Sequence, residues 1–163
     1  MDYTEVLTSL RRIIRTVNLE SKRIEKEYGI SIPQLLCLNF LNNRPNYQAS
    51  QKEIKDLLSL NASTVTGIIN RLEKKGLVAK LPRGEDRRVS NVAITAKGSE
   101  LIKNTPEPMH QRLSHKLENL SPSELREIKR AFQLISDFLE AGDLDASPIL
   151  TSEPSLRQDS TDH

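Results

Sequence analysis

At 163 residues, with 36% hydrophobic and 28% charged residues, the chain has the length of one ordinary domain and is short for two. Aromatics make up 4% and Trp is absent, so any core is aliphatic, and the abundance of Leu, Ile, Lys, Glu and Arg predicts a mostly α fold. The net charge of +2 is unevenly spread: residues 1–43 carry +1, 44–98 carry +6, 99–142 carry −1 and 143–163 carry −4. No run of 18 apolar residues is present and the opening MDYTEV is unlike a signal peptide, so no membrane partner and a cytoplasmic location are expected. The single Cys37 offers no internal disulfide and no start of a cysteine metal motif.

From Asp2 to about Tyr28, Val6, Leu10, Ile13, Val17 and Ile24 recur at helical spacing, with Leu7 and Ile14 widening the stripe. This predicts a long amphipathic helix, opened by an Asp2/Glu5 capping box and closed near Gly29, with more apolar surface than one neighbouring helix covers. Ser31 and Pro33 start a second helix over about 32–42, in which Leu35, Leu38 and Leu41 point one way and Cys37 serves as a small apolar residue. The polar NNRPNYQA reads as a loop. Ser50 and Glu53 then form a capping box for a short third helix carrying Ile54, Leu57 and Leu58 and ending near Ser59.

Asn61 caps the next helix, NASTVTGIINRLEKKG, which has two chemically distinct faces. Val65, Ile68, Ile69 and Leu72 fall on one side, while Ser63, Gly67, Asn70 and Lys74 fall opposite, flanked by Thr64, Thr66 and Arg71. Small, hydroxyl, amide and basic groups are the set that hydrogen-bonds phosphates and base edges. Two short helices joined by a tight turn make a helix-turn-helix pattern, which also describes an ordinary helical hairpin.

The chain beyond Gly76 weighs toward the first of these. Leu77–Leu81 and Val89–Ile94 read as strands on either side of PRGEDRR, a hairpin whose tip holds Arg83, Arg87 and Arg88 around Glu85 and Asp86. By itself such a tip reads as a solvated charged turn; placed directly after such a helix it is a candidate wing, long enough to reach toward the groove beside it. Thr95 caps another helix, which Pro106 and Pro108 interrupt and which restarts near Met109. Ser121, Pro122 and Glu124 open a last helix, where Leu125, Ile128, Phe132, Ile135 and Leu139 form a seam broadened by Leu134 and Phe138. Residues 143–163, rich in Asp, Ser and Pro, read as a disordered acidic tail.

The chain has no Gly-rich phosphate loop, nucleophile elbow or paired-carboxylate motif, so neither enzyme activity nor a cofactor is expected. His110 and His115, five apart, lack the i, i+4 spacing of a metal pair.

The order of elements, with STVTGIINRLEKKGLV and DRRVSNVAITAKG, resembles the MarR family of winged helix-turn-helix regulators over about residues 1–142, most sharply over 63–98. The resemblance implies a DNA-binding unit at about 31–98 with a two-stranded wing, and dimerisation helices at about 2–28 and 99–142. It implies a homodimer joined through Val6, Leu10, Ile13, Val17, Ile128, Phe132, Ile135 and Leu139, and a palindromic operator on double-stranded DNA with recognition helices ~10 bp apart or a multiple of that.

Ser63, Thr64 and Thr66 match the start of the family's recognition helix, and Asn70 and Arg71 match its next exposed turn. A bidentate Asn to adenine or Arg to guanine contributes ~1–3 kcal/mol of discrimination. Asp86 and Arg88 match the family's D-x-R, in which the acid orients the Arg toward the minor groove, and this leaves Arg83 and Arg87 as phosphate partners. Gly67 departs from the pattern, since many members carry a basic residue after S-T-V-T. The family further implies a repressor that answers to a small-molecule effector bound between the dimerisation helices and the wing unit, near Leu10, Ile14, Leu41 and Ile94. LRRIIRTVNLESKRI and GISIPQL are also similar to a branch linked to osmolyte and salt-stress genes. Gly67 and the acidic tail motivate an alternative, a winged-helix interaction module that binds no operator.

Overall fold

The computed structural model describes residues 2–141, so the acidic tail lies outside the described residues. Among these residues, seven α-helices, a short 3-10 turn at Pro45–Tyr47 and a small sheet follow one another: α1 (Thr4–Tyr28), α2 (Ile32–Asn42), β1 (Gln48–Ser50), α3 (Gln51–Leu58), α4 (Ala62–Lys74), β2 (Val78–Lys80), β3 (Asn91–Ile94), α5 (Ala96–Asn104), α6 (Met109–Glu118) and α7 (Pro122–Phe138). The fold is mostly helical, as composition predicts.

Local sequence accounts for most of the boundaries. Ser31, Ser50 and Ser121 each accept the backbone N–H three residues on, while Gln34, Glu53 and Glu124 reach back to the capping residue, giving three reciprocal caps. Asn61 and Thr95 cap α4 and α5 through their side chains alone. At the start of α1 the expected box does not form. Asp2 accepts from the N–H of Thr4 at 2.8 Å, and Tyr3 is the capping residue without a side-chain bond. Asp2 sits one position too early for the box, so it makes a short turn of its own instead.

The last two residues of the segment read as a polar loop, with the capping Ser50, form β1, which pairs antiparallel with β3 and makes a three-stranded sheet in the order β1-β3-β2. The hairpin of β2 and β3 is the expected pair, and the third strand is an addition. Only Ala49 of β1 is buried, and three residues are too short to show alternation, so it is the pairing with β3 that makes this segment a strand.

Leu35, Leu38 and Leu41 of α2, Ile54 and Leu58 of α3, Val65, Ile68, Ile69 and Leu72 of α4, and Val78 and Val92 of the sheet form one aliphatic core. Cys37 lies within it, fully buried, and burial pushes its thiol pKa up to about 12, so it packs as an apolar residue and is a poor nucleophile. α5 seals one side through Gly98: a Cβ there would stand 2.2 Å from the Leu77 carbonyl oxygen, so no other residue allows this approach.

Helices α1, α6 and α7 are built differently. Their only buried residue is Ile24 of α1. Val6, Leu7, Ile13, Ile14 and Leu19 of α1 and Leu125, Phe132, Leu134 and Phe138 of α7 are exposed. Glu20 ties α1 to α6 from within the chain: its carboxylate accepts the Met109 N–H at 3.0 Å and Arg112 Nη2 at 3.2 Å, at the positive end of α6.

Candidate nucleic-acid interface

The turn between α3 and α4 is three residues long. Ser59 adopts a left-handed conformation (φ 52°), Leu60 is buried, and Asn61 caps α4. This sets α4 on the core through Val65, Ile68, Ile69 and Leu72, all at most 5% exposed, and turns the expected partner-side residues outward. Ser63, Thr64, Thr66, Asn70, Arg71 and Lys74 are exposed and Gly67 is half-buried.

Two of the hydroxyls on this face, those of Ser63 and Thr66, already donate within the chain. Ser63 Oγ donates to Asn61 Oδ1 at 2.8 Å and Thr66 Oγ1 donates to the Ala62 carbonyl at 2.9 Å. In this conformation both hydroxyls present lone pairs outward, so an anion at the start of α4 meets backbone N–H groups and the helix dipole rather than these O–H groups.

The far end of α4 is closed by a Schellman motif: the Leu77 N–H reaches the Leu72 carbonyl at 3.0 Å, the Gly76 N–H reaches Glu73 at 2.9 Å, and Gly76 takes φ 72°. Thr95 Oγ1 donates to the Gly76 carbonyl at 2.6 Å and Lys97 Nζ to the Lys75 carbonyl at 2.8 Å, while Lys75 itself donates to the Gly29 carbonyl. The helix is therefore pinned to α1 and α5 at the end away from its outward-facing first turn.

In the wing, Asp86 Oδ1 accepts both the backbone N–H of Arg88 at 3.0 Å and its Nε at 3.2 Å. The Arg88 side chain remains 92% exposed, so the acid aims the guanidinium while leaving its other nitrogens to solvent or a partner. Arg83 Nη1 donates to the Arg87 carbonyl at 2.9 Å and braces the base of the same turn; Arg87 is exposed. The four expected wing residues thus fall into an aimed pair, Asp86 and Arg88, and a braced pair, Arg83 and Arg87.

One contact between wing and helix has no counterpart in the expected set. Lys80, at the end of β2, donates to Asn70 Oδ1 at 2.6 Å and pairs with Glu73 Oε2 at 3.5 Å. Strand alternation puts Lys80 on the same side as Val78, which faces α4, and this was the available sequence signal. A lone Lys at a strand end gave no reason to look for a hydrogen bond across to the helix.

The chain as a whole is similar to known proteins. The sequence model of the MarR family matches residues 28–89. An HTH-type transcriptional regulator of Bacillus subtilis, YfiV, is 32% identical over 136 residues, which span 83% of this chain and 84% of the relative. The chain belongs to the MarR family. The HTH-type transcriptional repressor IacR of Pseudomonas putida is 29% identical over 125 residues, 77% of this chain and 72% of the relative. Among solved structures, the MarR regulator Sco3205 of Streptomyces coelicolor in complex with DNA superposes with a TM-score of 0.61 at 18% identity, covering 91% of this chain and 95% of that one. The S. aureus MepR–DNA complex gives 0.59 at 19% identity, covering 86% and 98%. The protein is a MarR-type transcriptional regulator, and its relatives are regulators rather than enzymes.

Of the positions expected for an effector, Leu41 is fully buried in the core with Ile94 packed against it, while Ile14 is exposed on α1. Ile14 instead lines an open hollow of about 510 Å³ together with Arg11, Arg15, Asn18, Leu19 and Lys22. His115 Nδ1 lies 3.0 Å from Glu107 Oε1, a pairing between the linker and α6, and no group of three or more metal-ligating side chains is gathered among the described residues.

Proposed function

We propose that this MarR-family chain is a homodimeric, ligand-responsive repressor that binds a palindromic operator through α4 in the major groove and its wing in the adjoining minor groove. The observation that carries this reading is the alignment of two basic, outward surfaces. The exposed face of α4, with Asn70, Arg71 and Lys74, lies beside a hairpin whose Arg88 is aimed by Asp86, and β2 links the two through Lys80. The segment that holds them is where the chain's positive charge concentrates.

Dimerisation is supported by the seams of α1 and α7. Val6 and Ile13 are exposed and Leu10 and Val17 half-buried on α1; Phe132 is exposed and Ile128 and Ile135 half-buried on α7, with exposed Leu139 just past its end. A second copy of the same seams is the partner that symmetry supplies most simply. An effector bound between α1 and the wing unit favours one separation of the two recognition helices over another and so shifts the population that fits the operator. The working site of such a regulator is the cytoplasm.

The test is a gel shift of the full chain on duplex DNA from its own upstream region, repeated from low to high salt. Each neutralised phosphate contributes a slope of about −0.9 to log K against log salt, so the several phosphate contacts expected here give a steep loss. Absence of binding at low salt to upstream DNA and to palindromic duplexes would overturn this reading and leave the alternative, a winged-helix interaction module.

A further inference from the structure

The contact between Lys80 and Asn70 bears on which base the recognition helix reads. Asn70 is exposed on the outer face of α4, and the atom of its amide that meets Lys80 Nζ at 2.6 Å must be the oxygen, because an ammonium has donors only. Lys80 is held in place from the other side by Glu73 at 3.5 Å, so the ammonium sits between a carboxylate and the amide oxygen of the same helix. The lysine side chain is 40% exposed and Glu73 46%, which leaves the group at the rim of the helix surface rather than inside the core.

An asparagine that reads adenine uses both ends of its amide: Nδ2 donates to N7 and Oδ1 accepts from the N6 amino group. Here the ammonium occupies one lone pair of Oδ1, and its positive charge disfavours a second hydrogen at the same oxygen. The same charge polarises the amide and makes the two N–H bonds of Nδ2 stronger donors. The edge that suits a donor is one that offers acceptors: O6 and N7 of guanine, or O4 of thymine.

We propose that Lys80 is a positioning residue that holds Asn70 as a hydrogen-bond donor, so that this side chain selects guanine or thymine, and not adenine, at one position of each half-site. The proposal rests on operator binding through α4. It assigns Lys80 a role in specificity rather than in phosphate contact, and Glu73 the role of keeping the ammonium beside Asn70.

Binding-site selection from a randomised duplex library, carried out with the full chain, tests this with four proteins: wild type, Asn70→Ala, Lys80→Met, which keeps length and removes charge, and the chain carrying both substitutions. Thermal melting of each first establishes that the fold is retained. The wild type is expected to select guanine or thymine at one symmetric pair of positions by on the order of tenfold, the scale of one good side-chain contact to a base. Asn70→Ala loses that preference, and Lys80→Met turns the same position toward adenine. The doubly substituted chain behaves as Asn70→Ala alone. A wild type that selects adenine at the Asn70-dependent position overturns the proposal. So does a Lys80→Met chain that keeps the wild-type base preference and merely binds every sequence more weakly, the signature of a phosphate contact. Failure of the wild type to select any motif overturns the operator reading itself, an outcome distinct from both.

Discussion

The segment from α2 to α5 and the helices around it solve the same problem, an amphipathic helix with an apolar stripe, in opposite ways. In the first, Val65, Ile68, Ile69 and Leu72 of α4 meet Leu35, Leu38, Ile54 and Leu58 across one core, and the stripe disappears from solvent. In α7, Leu125 is 45% exposed, Phe132 55% and Phe138 79%, although the periodicity of that helix is as regular as that of α4. Both patterns obey the same spacing rule. What differs is whether the chain itself contains the second surface. A stripe that is answered within the chain stabilises a fold, and the unanswered stripe of α7 is the surface on which the proposed dimer rests.

The largest expected effect follows from that difference. Phe132→Asp places a charge in the middle of the α7 seam and is expected to convert the proposed dimer to a monomer in size-exclusion chromatography with light scattering. The helix-turn-helix core, to which no α7 residue contributes, should keep its secondary structure by circular dichroism. A dimer that survives the substitution would show that the seam does not form the interface.

The core is expected to respond in another way. Leu72→Ala truncates a fully buried side chain and should cost ~2–5 kcal/mol in chemical denaturation, because the space it leaves is only partly refilled. The difference between this variant and wild type, compared at one protein concentration, should persist when that concentration is changed, whereas the destabilisation from α7 substitutions should be tied to it. A loss near zero for Leu72→Ala would contradict the placement of the two faces of α4.

The two regions also differ in how far the sequence alone discloses them. The helices, their serine caps and the faces of α4 were legible because capping and periodicity are local, as Ser50 with Glu53 and Val65 with Leu72 show. β1 was not, since Gln48, Ala49 and Ser50 become a strand only by pairing with residues more than forty positions away. At the candidate interface, the outward residues could be named from a helical wheel, but their hydrogen bonds could not. The engagement of Ser63 by Asn61 and of Asn70 by Lys80 depends on atoms whose positions follow from turn and strand geometry. The misplaced cap at Asp2 shows the limit on the local side: one residue of register separates a capping box from a short turn.

The wing provides a smaller effect and a cleaner separation of binding from folding. Arg88→Ala removes a side chain that is 92% exposed and pairs with Asp86 on the same turn, so thermal stability should change little while DNA binding weakens. If Arg88 reads the minor groove, the loss depends on sequence; if it meets phosphate alone, affinity falls about equally on all duplexes and the salt slope drops by about 1. An equal loss of fold and of binding would make Arg88 structural.

The smallest effect is expected at Gly67, where folding and binding are predicted to move in opposite directions. The residue lies inside α4, and a Cβ built on it would have nothing within 4 Å, so the chain's own packing gives no reason for glycine there. Alanine in a helix interior is favoured over glycine by ~1 kcal/mol, which should appear as a higher melting temperature for Gly67→Ala. Gly67 also shares the outer face with Ser63, Asn70 and Lys74, where the helix backbone would lie against the groove. If DNA takes the space that the missing side chain leaves, a methyl group there weakens operator binding in the same variant that is more stable. Melting and gel shift on one preparation decide the matter: higher stability with unchanged affinity would mean that DNA does not approach this turn within a methyl group, and lower stability would mean that α4 is not an unstrained helix at Gly67.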